Sequence, residues 1–265
     1  MTIKQFQKLV WDFYRYNGRV LPWRKNINPY RILVSEIMLQ QTQVSRVIPK
    51  YRLFLKLFPN CKSLSQASSA EVLQAWSGLG YNRRGLYLKR AAEMIMEEFS
   101  GKFPQNMNEL IMLPGVGENT AGAILAYAFN EPVLFIETNI RRVYLHHFFQ
   151  NQKNVPDSDL MPFIVKSIDQ INPREWYWAL MDYGSYLSSV VENPNRRSRH
   201  YTKQSKFPGS LRQLRGRILK LLLEKQQVLD QLQSRLADDR LPEALEQLVA
   251  EGFVSINKNK IRIKK

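Results

Sequence analysis

The 265-residue sequence predicts an all-α domain followed by a small α+β domain. From the N-terminus to about Glu192, apolar residues recur at helical spacing, and no convincing alternating strand pattern interrupts them. Proline, glycine and arginine residues then break the pattern over residues 193–210, which predicts a basic linker. Near the C-terminus the spacing changes to the alternation that is typical of strands. The predicted domains therefore cover residues 1–192 and 211–265.

The predicted first domain is mostly helical. Phe6, Leu9 and Phe13 recur at i, i+3 and i+7, which places them on one face of the first helix. Prolines and glycines mark the ends of the later helices, because proline lacks a backbone donor and glycine commonly follows a helix. These later helices are predicted over residues 30–41, 44–58, 70–79, 86–99, 108–113 and 120–129.

Helical spacing returns in the second domain, where three helices are predicted over residues 211–223, 228–236 and 242–251. Two short segments, 253–256 and 261–263, then alternate between apolar and polar side chains around a hairpin turn. Three helices followed by a β-hairpin match the order of elements in a winged helix. The second domain is therefore predicted to be a small winged-helix-like α+β domain.

The chain carries 39 lysine and arginine residues against 23 aspartate and glutamate residues, a formal net charge of +16. This excess of positive charge indicates a polyanionic partner, most simply nucleic acid, with an anionic membrane surface or the ribosome as alternatives. The single cysteine, Cys61, excludes an intramolecular disulfide and a four-cysteine iron–sulfur cluster within this sequence. Because there are also only three histidines, we expect neither a metal site nor a cofactor.

Targeting signals are not evident in the sequence. Residues 1–6 lack the apolar core of a signal peptide, and no apolar stretch approaches the length of a membrane span. We therefore expect a cytoplasmic monomer that does not bind membranes.

A glycine-rich turn at residues 113–122 joins two of the predicted helices. Gly115 and Gly117 allow positive φ angles and a close approach of the backbone to a ligand. The helix after the turn has unpaired N–H groups at its N-terminus, which suit a DNA phosphate. An ordinary helix–helix turn is the alternative. Apolar residues at positions 113, 116 and 124 complete a pattern that resembles the helix-hairpin-helix DNA-binding element.

Two carboxylates lie in apolar company on either side of this turn. Glu36 lies in the run SEIMLQQTQV at residues 35–44, and Glu137 lies in FIETNIRRV at residues 135–143. Hydrolysis of an N-glycosidic bond pairs an acid that protonates the leaving base with a carboxylate that stabilises positive charge on the sugar. At about 4 Å and an effective dielectric constant near 20, that carboxylate contributes roughly 4 kcal/mol, or about three decades in rate. The alternatives are a surface acid for Glu36 and an acid favoured by the helix dipole for Glu137.

The segment around Glu36 closely resembles the MutY-type adenine DNA glycosylases of the helix-hairpin-helix glycosylase superfamily. The resemblance covers roughly residues 5–190 and rests on LPWR at 21–24, NPY at 28–30, SEIMLQQTQV at 35–44, GLGYNRR at 78–84 and the turn region at 113–125. It implies an all-α helix-hairpin-helix glycosylase fold of two helical subdomains for the first domain.

The resemblance also implies roles for individual residues. Glu36 would protonate the purine, and Glu137 occupies the position of the family's catalytic aspartate. The base-pocket positions correspond to Arg19, Trp23, Asn119 and Asp182. Gln41 and Tyr81 match the residues that wedge into DNA. The DNA-binding residues, to which we add the arginines of the basic linker, are Gln41, Thr42, Tyr81, Arg83, Arg84, Gly115, Gly117, Asn139, Arg196, Arg197 and Arg199.

The sequence departs from the family pattern at several places. Asn119 stands where strand-cleaving relatives carry a lysine, so no amine is available there to form a Schiff base. Glutamate replaces aspartate at position 137, which extends the reach of the side chain by roughly 1.5 Å. The four cluster cysteines expected after Gly184 are absent, and we expect the basic linker to take over their loop's DNA contacts. The family's domain that reads oxidised guanine is not recognisable, and the winged-helix-like domain stands in its place.

The sequence therefore predicts a monofunctional DNA glycosylase of base excision repair, acting on double-stranded DNA that contains a lesion or mismatch. It would hydrolyse the N-glycosidic bond of a flipped purine, with adenine in a mismatch as the leading substrate. Hypoxanthine, or uracil or thymine in a mismatch, are the alternatives; Glu36 favours a purine because N7 accepts a proton. A non-catalytic DNA-binding protein on a glycosylase scaffold is the alternative from another class. Retention of both acids disfavours it, and the exchange of aspartate for glutamate favours it.

Overall fold

The computed structural model describes residues 1–203 and 206–264. The chain divides into two compact units. Unit 1 consists of Met1–Glu36, Gln105–Met112 and Val116–Lys203, and unit 2 consists of Ile37–Pro104, Leu113–Gly115 and Gln204–Lys265. Each unit therefore combines segments that are distant in the sequence. Residues 204 and 205 of the predicted linker and residue 265 of the predicted second domain lie outside the described residues.

Helices make up most of both units. The α-helices in the described residues are α1 (Ile3–Asn17), α2 (Pro22–Lys25), α3 (Pro29–Leu39), α4 (Val44–Leu57), α5 (Cys61–Ser65), α6 (Ser69–Trp76), α7 (Arg83–Glu97), α8 (Met107–Met112), α9 (Glu118–Ile124), α10 (Thr138–Phe148), α11 (Asp157–Ser167), α12 (Pro173–Val190), α13 (Leu211–Glu224), α14 (Leu229–Leu236) and α15 (Leu241–Ala250). A π-helical turn, Leu125–Phe129, follows α9, and a 3₁₀ helix covers Pro194–Arg197. The strands are β1 (Gln227–Val228), β2 (Val254–Asn257) and β3 (Lys260–Ile263). None of the helices described is long and apolar enough to cross a lipid bilayer.

Aromatic residues from three helices contribute to the core of unit 1. α1 begins at a capping box in which Thr2 and Gln5 exchange hydrogen bonds. From α1, Phe6 contacts Tyr144 of α10 and Trp176 of α12, with ring centroids 5.1 and 6.1 Å away. All three side chains are fully buried, and burial of a side chain such as Phe6 contributes about 1.5–3 kcal/mol. This packing fixes α10 and α12, which carry residues of the candidate site.

The C-terminal region shares its core with two helices of the predicted first domain. Buried residues of α13 and α15, together with Phe253, form one apolar cluster with Leu73 of α6 and Leu86 of α7. Glu251, directly after α15, also forms an ion pair with Arg83 at the start of α7. The winged-helix-like region therefore packs as part of unit 2.

The C-terminal sheet has the strand order β1-β3-β2, and both strand pairs are antiparallel. β2 and β3 form the hairpin that the sequence predicts, with Val254 opposite Ile263 and Asn257 opposite Lys260. The sequence pattern gives no sign of β1, because a strand of two residues is too short to show alternation. The predicted fold class, an all-α glycosylase-like fold followed by a small winged-helix-like α+β region, is confirmed.

Two stretches carry local structure that the sequence does not reveal. The helix predicted over residues 120–129 is α-helical at its start and π-helical over Leu125–Phe129. Over so few residues, a change of backbone winding leaves the apolar spacing nearly unchanged. The segment predicted as a linker begins with a 3₁₀ helix, and Ser198 forms a parallel bridge with Val155. The first part of this segment is therefore ordered as part of unit 1.

Candidate active site

Glu36 is the only acidic residue of α3. Its neighbours in the sequence, Ser35 and Ile37, are at most 1% exposed. Glu36 keeps part of its surface accessible, but the surrounding protein removes most of its hydration. This desolvation raises the pKa of Glu36 to about 8; the charge of Glu137 adds to the rise, and Arg24 opposes it. At neutral pH Glu36 is therefore mainly protonated and can act as an acid.

Glu137 is the N-cap residue of α10. Its Oε1 accepts hydrogen bonds from the backbone N–H groups of Asn139 and Ile140, at 2.5 and 3.0 Å. Desolvation raises the pKa of Glu137, while these two hydrogen bonds and the charges of Arg142 and Arg141 lower it in part. The start of α10 therefore orients the carboxylate and favours its ionised form.

The two carboxyl groups of the pair have different electrostatic surroundings. Repulsion from ionised Glu137 is the second largest cause of the raised pKa of Glu36. Glu137, in turn, has two backbone hydrogen bonds and the charges of two arginines that lower its pKa, against the desolvation that raises it. As the pH rises, Glu137 therefore loses its proton first, and Glu36 retains the proton of the pair. Burial raises the pKa of both groups, but Glu137 has hydrogen bonds that favour its ionised form, so the pair can provide an acid and an anion.

Asp182 of α12 connects two arginines on the N-terminal side of α3. Its carboxylate accepts hydrogen bonds from the backbone N–H and Nε of Arg19, at 2.7 and 2.6 Å, and from Nη1 and Nη2 of Arg24, both at 2.8 Å. The guanidinium of Arg24 also lies 5.2 Å from the ring centre of Trp178. Asp182 thereby fixes the cation that opposes the rise in the pKa of Glu36. The predicted pocket residue Trp23 is 4% exposed, next to Arg24.

The turn between α8 and α9 places Asn119 near the approach to Glu137. Asn119 Oδ1 accepts a hydrogen bond from the backbone N–H of Ile136 at 3.2 Å, which joins the first turn of α9 to the residue preceding Glu137. Gly115 has φ +83° and would place a Cβ atom 3.0 Å from Cβ of Tyr87, so this position requires glycine. Gly117 has φ −97°, and a Cβ atom there would meet nothing within 4 Å. Only the first of the two glycines is therefore required by the local geometry.

The residues that match the family's DNA wedge lie in unit 2, in strained backbone. Gln41 and Tyr81 have φ angles of +53° and +48°, in the left-handed region that non-glycine residues rarely adopt. Arg84 is buried and donates to the last carbonyl groups of α3 and to Thr42 Oγ1, the latter at 3.0 Å. The ring of Tyr81 lies between two guanidinium groups, 5.4 Å from that of Arg84 and 5.0 Å from that of Arg212. Arg84 therefore stabilises the turn that carries Gln41.

The other predicted DNA-binding side chains have varied surroundings. Arg83 and Arg196 each form an ion pair with a glutamate. Arg197 donates to two backbone carbonyl groups at 2.8 and 3.1 Å. Arg199 is exposed, and its backbone N–H forms a hydrogen bond in the bridge to Val155. The basic segment is therefore partly used for intramolecular contacts.

Sequence reasoning missed two residues next to the acids. Arg24 belongs to the LPWR run, but nothing in the sequence indicates its contact with Asp182. Tyr127 lies in the π-helical turn and looks like an ordinary helix residue in the sequence. Burial raises its pKa well above the usual value, and the charges of Glu36 and Glu137 contribute to the rise. Tyr127 therefore lies near both acids.

We found no residues suited to a metal ion in the described part of the chain. No group of three or more histidine, cysteine, aspartate or glutamate side chains within residues 1–203 and 206–264 is arranged to hold one. Burial raises the pKa of Cys61 to about 12, so this thiol is a poor ligand at neutral pH. The chemistry of the site rests on the carboxyl groups and their neighbours.

Comparison with known proteins points to one family. The model of the HhH-GPD superfamily of base excision DNA repair proteins matches residues 34–163. An adenine DNA glycosylase of Buchnera aphidicola subsp. Baizongia pistaciae (strain Bp) is 39% identical over 196 residues, which cover 73% of this chain and 56% of that protein. An adenine DNA glycosylase of Mycolicibacterium smegmatis (strain ATCC 700084 / mc(2)155) is 40% identical over 144 residues, covering 54% and 48%. The chain thus spans about half the length of these relatives.

Among solved structures, a thermostable thymine-DNA glycosylase superposes with a TM-score of 0.62 at 26% sequence identity. The superposition covers 69% of this chain and 86% of that one.

Proposed function

Since the chain belongs to the HhH-GPD superfamily of base excision DNA repair proteins, we propose that it is a monofunctional DNA glycosylase of base excision repair. Its substrate is double-stranded DNA with a lesion or mismatch, from which it removes a flipped purine base, adenine in a mismatch first of all. The observation that carries this proposal is the pair Glu36 and Glu137: burial raises the pKa of Glu36 to about 8, and Glu137 accepts two backbone hydrogen bonds at the start of α10, which favour its ionised form. The curated relatives that match this chain are adenine DNA glycosylases.

Glu36 acts as the proton donor to the leaving base. With a pKa of about 8, roughly ten molecules carry this proton for each one that does not at pH 7. The proton passes to N7 of the purine, and the electron pair of the breaking bond to the sugar carbon C1′ leaves with the base. General acid catalysis of this kind contributes about 10²- to 10⁴-fold in rate.

Glu137 stabilises the sugar while it carries positive charge. Its carboxylate is held through Oε1 by the start of α10. Because the carboxylate is already oriented in the folded protein, it does not have to reorganise when the sugar cation forms. Water then adds to C1′, and Glu137 accepts the proton that this water loses. The products are the free base and an abasic site, and no covalent bond to the protein forms.

The absence of an amine at position 119 supports hydrolysis without strand cleavage. Asn119 uses its side-chain oxygen to accept the N–H of Ile136, and an amide does not form a Schiff base with an abasic sugar.

A second substrate class is favoured by one comparison. The structure with a TM-score of 0.62 is named a thymine-DNA glycosylase, so thymine or uracil in a mismatch is the alternative to a purine. A pyrimidine lacks N7, and for it Glu36 would have no acceptor of the same kind. Hypoxanthine retains N7 and remains compatible with the acid.

A panel of duplexes tests the proposal. Purified protein is incubated with duplexes carrying adenine opposite 8-oxoguanine, adenine opposite guanine, hypoxanthine, thymine opposite guanine and uracil opposite guanine, and alkali then reveals abasic sites. We expect release of adenine, and no release by Glu36→Gln although that variant still binds the duplex. Binding without release from any of the five duplexes would mean that the chain is a DNA-binding protein on a glycosylase scaffold. Release of thymine or uracil alone would select the alternative substrate class.

A further inference from the structure

A polar cavity lies in unit 1, between the start of α10 and the segment that the sequence predicts as a linker. Its volume is about 180 Å³. Thr138, Arg141 and Arg142 of α10 line one side. The lining residues of the other side are Asn193, Asn195, Ser198, His200, Tyr201 and Thr202. The cavity forms because the 3₁₀ helix packs on α10 and Ser198 pairs with Val155.

Two buried polar atoms at this cavity lack a hydrogen-bond partner among the described residues. Asn195 is 5% exposed; its Nδ2 donates to the carbonyl group of Thr138 at 3.1 Å, and its Oδ1 accepts nothing. Arg142 is 9% exposed; its Nη1 donates to Asn139 Oδ1 and to the carbonyl group of Gly184, and its Nε donates to nothing. Buried polar groups are nearly always paired. The donor Arg142 Nε–H and the acceptor Asn195 Oδ1 therefore indicate a bound ligand that forms hydrogen bonds with both.

The charge at the cavity favours an anion. No carboxylate is among its described lining residues. Arg141 is paired with Asp157, at 2.6 and 2.7 Å. Arg142, by contrast, hydrogen-bonds only to neutral oxygens, and the opposite charge that acts on it is that of Glu137. A buried cation with neutral hydrogen-bond partners attracts an anion more strongly than an exposed one does.

We propose that this cavity binds one phosphodiester group of the DNA strand together with one water molecule. The proposal rests on the proposed function, since it gives the DNA a contact beside the reaction centre. Arg142 Nε donates to a phosphate oxygen. The water donates one hydrogen to the phosphate and the other to Asn195 Oδ1, because a phosphodiester alone offers only acceptors. A volume of about 180 Å³ accommodates both, since a water needs about 30 Å³.

The position of this phosphate has a consequence for catalysis. Thr138 directly follows Glu137, so a phosphate held at Thr138 fixes the strand next to the carboxylate that stabilises the sugar. The basic segment contributes His200, Tyr201 and Thr202 to the cavity. This segment therefore contacts DNA through the cavity as well as through its exposed arginines.

The salt dependence of binding to an undamaged duplex tests the proposal without any need for base release. Thr138→Asp places a negative charge at the cavity. It should leave folding intact, because an acid in the first turn of a helix is favourable. Loss of one phosphate contact should reduce the slope of log affinity against log salt by about 0.9, so the affinity of the variant should fall about three- to fourfold less than that of the wild type between 50 and 200 mM salt. Thr2→Asp, the same charge change at the N-cap of α1, is the matched control and should keep the wild-type slope.

A second variant and a second ligand complete the experiment. Thr202→Glu changes the opposite wall outside any helix and should lower the slope equally. Inorganic phosphate, titrated at low salt, should shift the NMR resonance of the Arg142 Nε–H group in the wild type and not in Thr202→Glu. If both cavity variants keep the wild-type slope, the cavity does not contact DNA and the proposal is overturned. If inorganic phosphate still shifts the Arg142 resonance in that case, the cavity binds free phosphate but not the DNA strand, which also overturns the proposal. If the wild type releases no base from any duplex but the variants still lower the slope, the proposed function fails and the cavity assignment stands.

Discussion

The rate of base release should depend on pH through the proton of Glu36. In the proposed mechanism Glu36 acts in its protonated form, so its contribution is present below its pKa of about 8 and is lost as the pH rises through that value. The protonated fraction falls from about nine-tenths at pH 7 to about one-tenth at pH 9, which predicts a roughly tenfold fall in rate. On the acid side the rate should also fall, because Glu137 must be ionised and desolvation raises its pKa.

The cause of the raised pKa can be tested with a second variant. Glu137→Gln removes the negative charge that is the second largest contribution to the pKa of Glu36. The residual rate of base release by this variant should therefore begin to fall at a lower alkaline pH than the rate of the wild type. The charge of Arg24 acts in the opposite direction, so its removal should move the alkaline fall in rate to higher pH.

Single-turnover excision from a saturated lesion duplex, measured from pH 5.5 to 9.5 at constant salt, isolates the chemical step. Binding of the same duplex is followed by fluorescence anisotropy at each pH, so that a loss of complex is not read as a loss of chemistry. Glu36→Gln serves as the control and should show no excision above background at any pH. A wild-type rate that is unchanged between pH 7 and 9 would show that Glu36 is not the proton donor.

Four further substitutions have defined outcomes. Asn119→Lys places an amine near the sugar and should permit borohydride trapping on a lesion duplex; efficient trapping by the wild type would instead show that the enzyme is not monofunctional. Asp182→Asn should lower the free energy of unfolding by about 3–5 kcal/mol in urea titrations, because it leaves the buried guanidinium of Arg24 without its charge partner; a change below 1 kcal/mol would contradict this. Gly115→Ala should destabilise by at least about 1–2 kcal/mol because of its positive φ, whereas Gly117→Ala should have little effect, and equal losses for the two would refute the argument.

Much of the fold follows from local rules. Proline and glycine positions mark the helix ends to within a few residues, and α4, predicted over residues 44–58, spans Val44–Leu57. The acids of the candidate site are also visible in the sequence, because Glu36 stands alone among apolar side chains. These features are predictable because each depends on residues that are close in the sequence.

The partners of buried side chains are not predictable in this way. Arg84 and Arg197 look like DNA-binding residues in the sequence, yet their guanidinium groups donate to backbone carbonyl groups up to 52 residues away. A guanidinium suits a carbonyl group at a helix end as well as it suits a phosphate, so residue type and local charge do not distinguish the two. The same holds for Arg24, whose partner Asp182 lies 158 residues away.

The resemblance places the family's aspartate at position 137, and the local structure here holds the longer side chain of glutamate in place. A side chain longer by one methylene has an additional rotatable bond, which by itself would leave the carboxylate less well placed. Here Oε1 accepts two N–H groups of α10, and the side chain of Asn139 lies 3.5 Å from Oε2. Asn119 holds the preceding residue, Ile136, from the other side. The carboxylate is thus fixed at both its own helix and the segment that leads into it, so the extra reach changes the position of the charge without making it mobile.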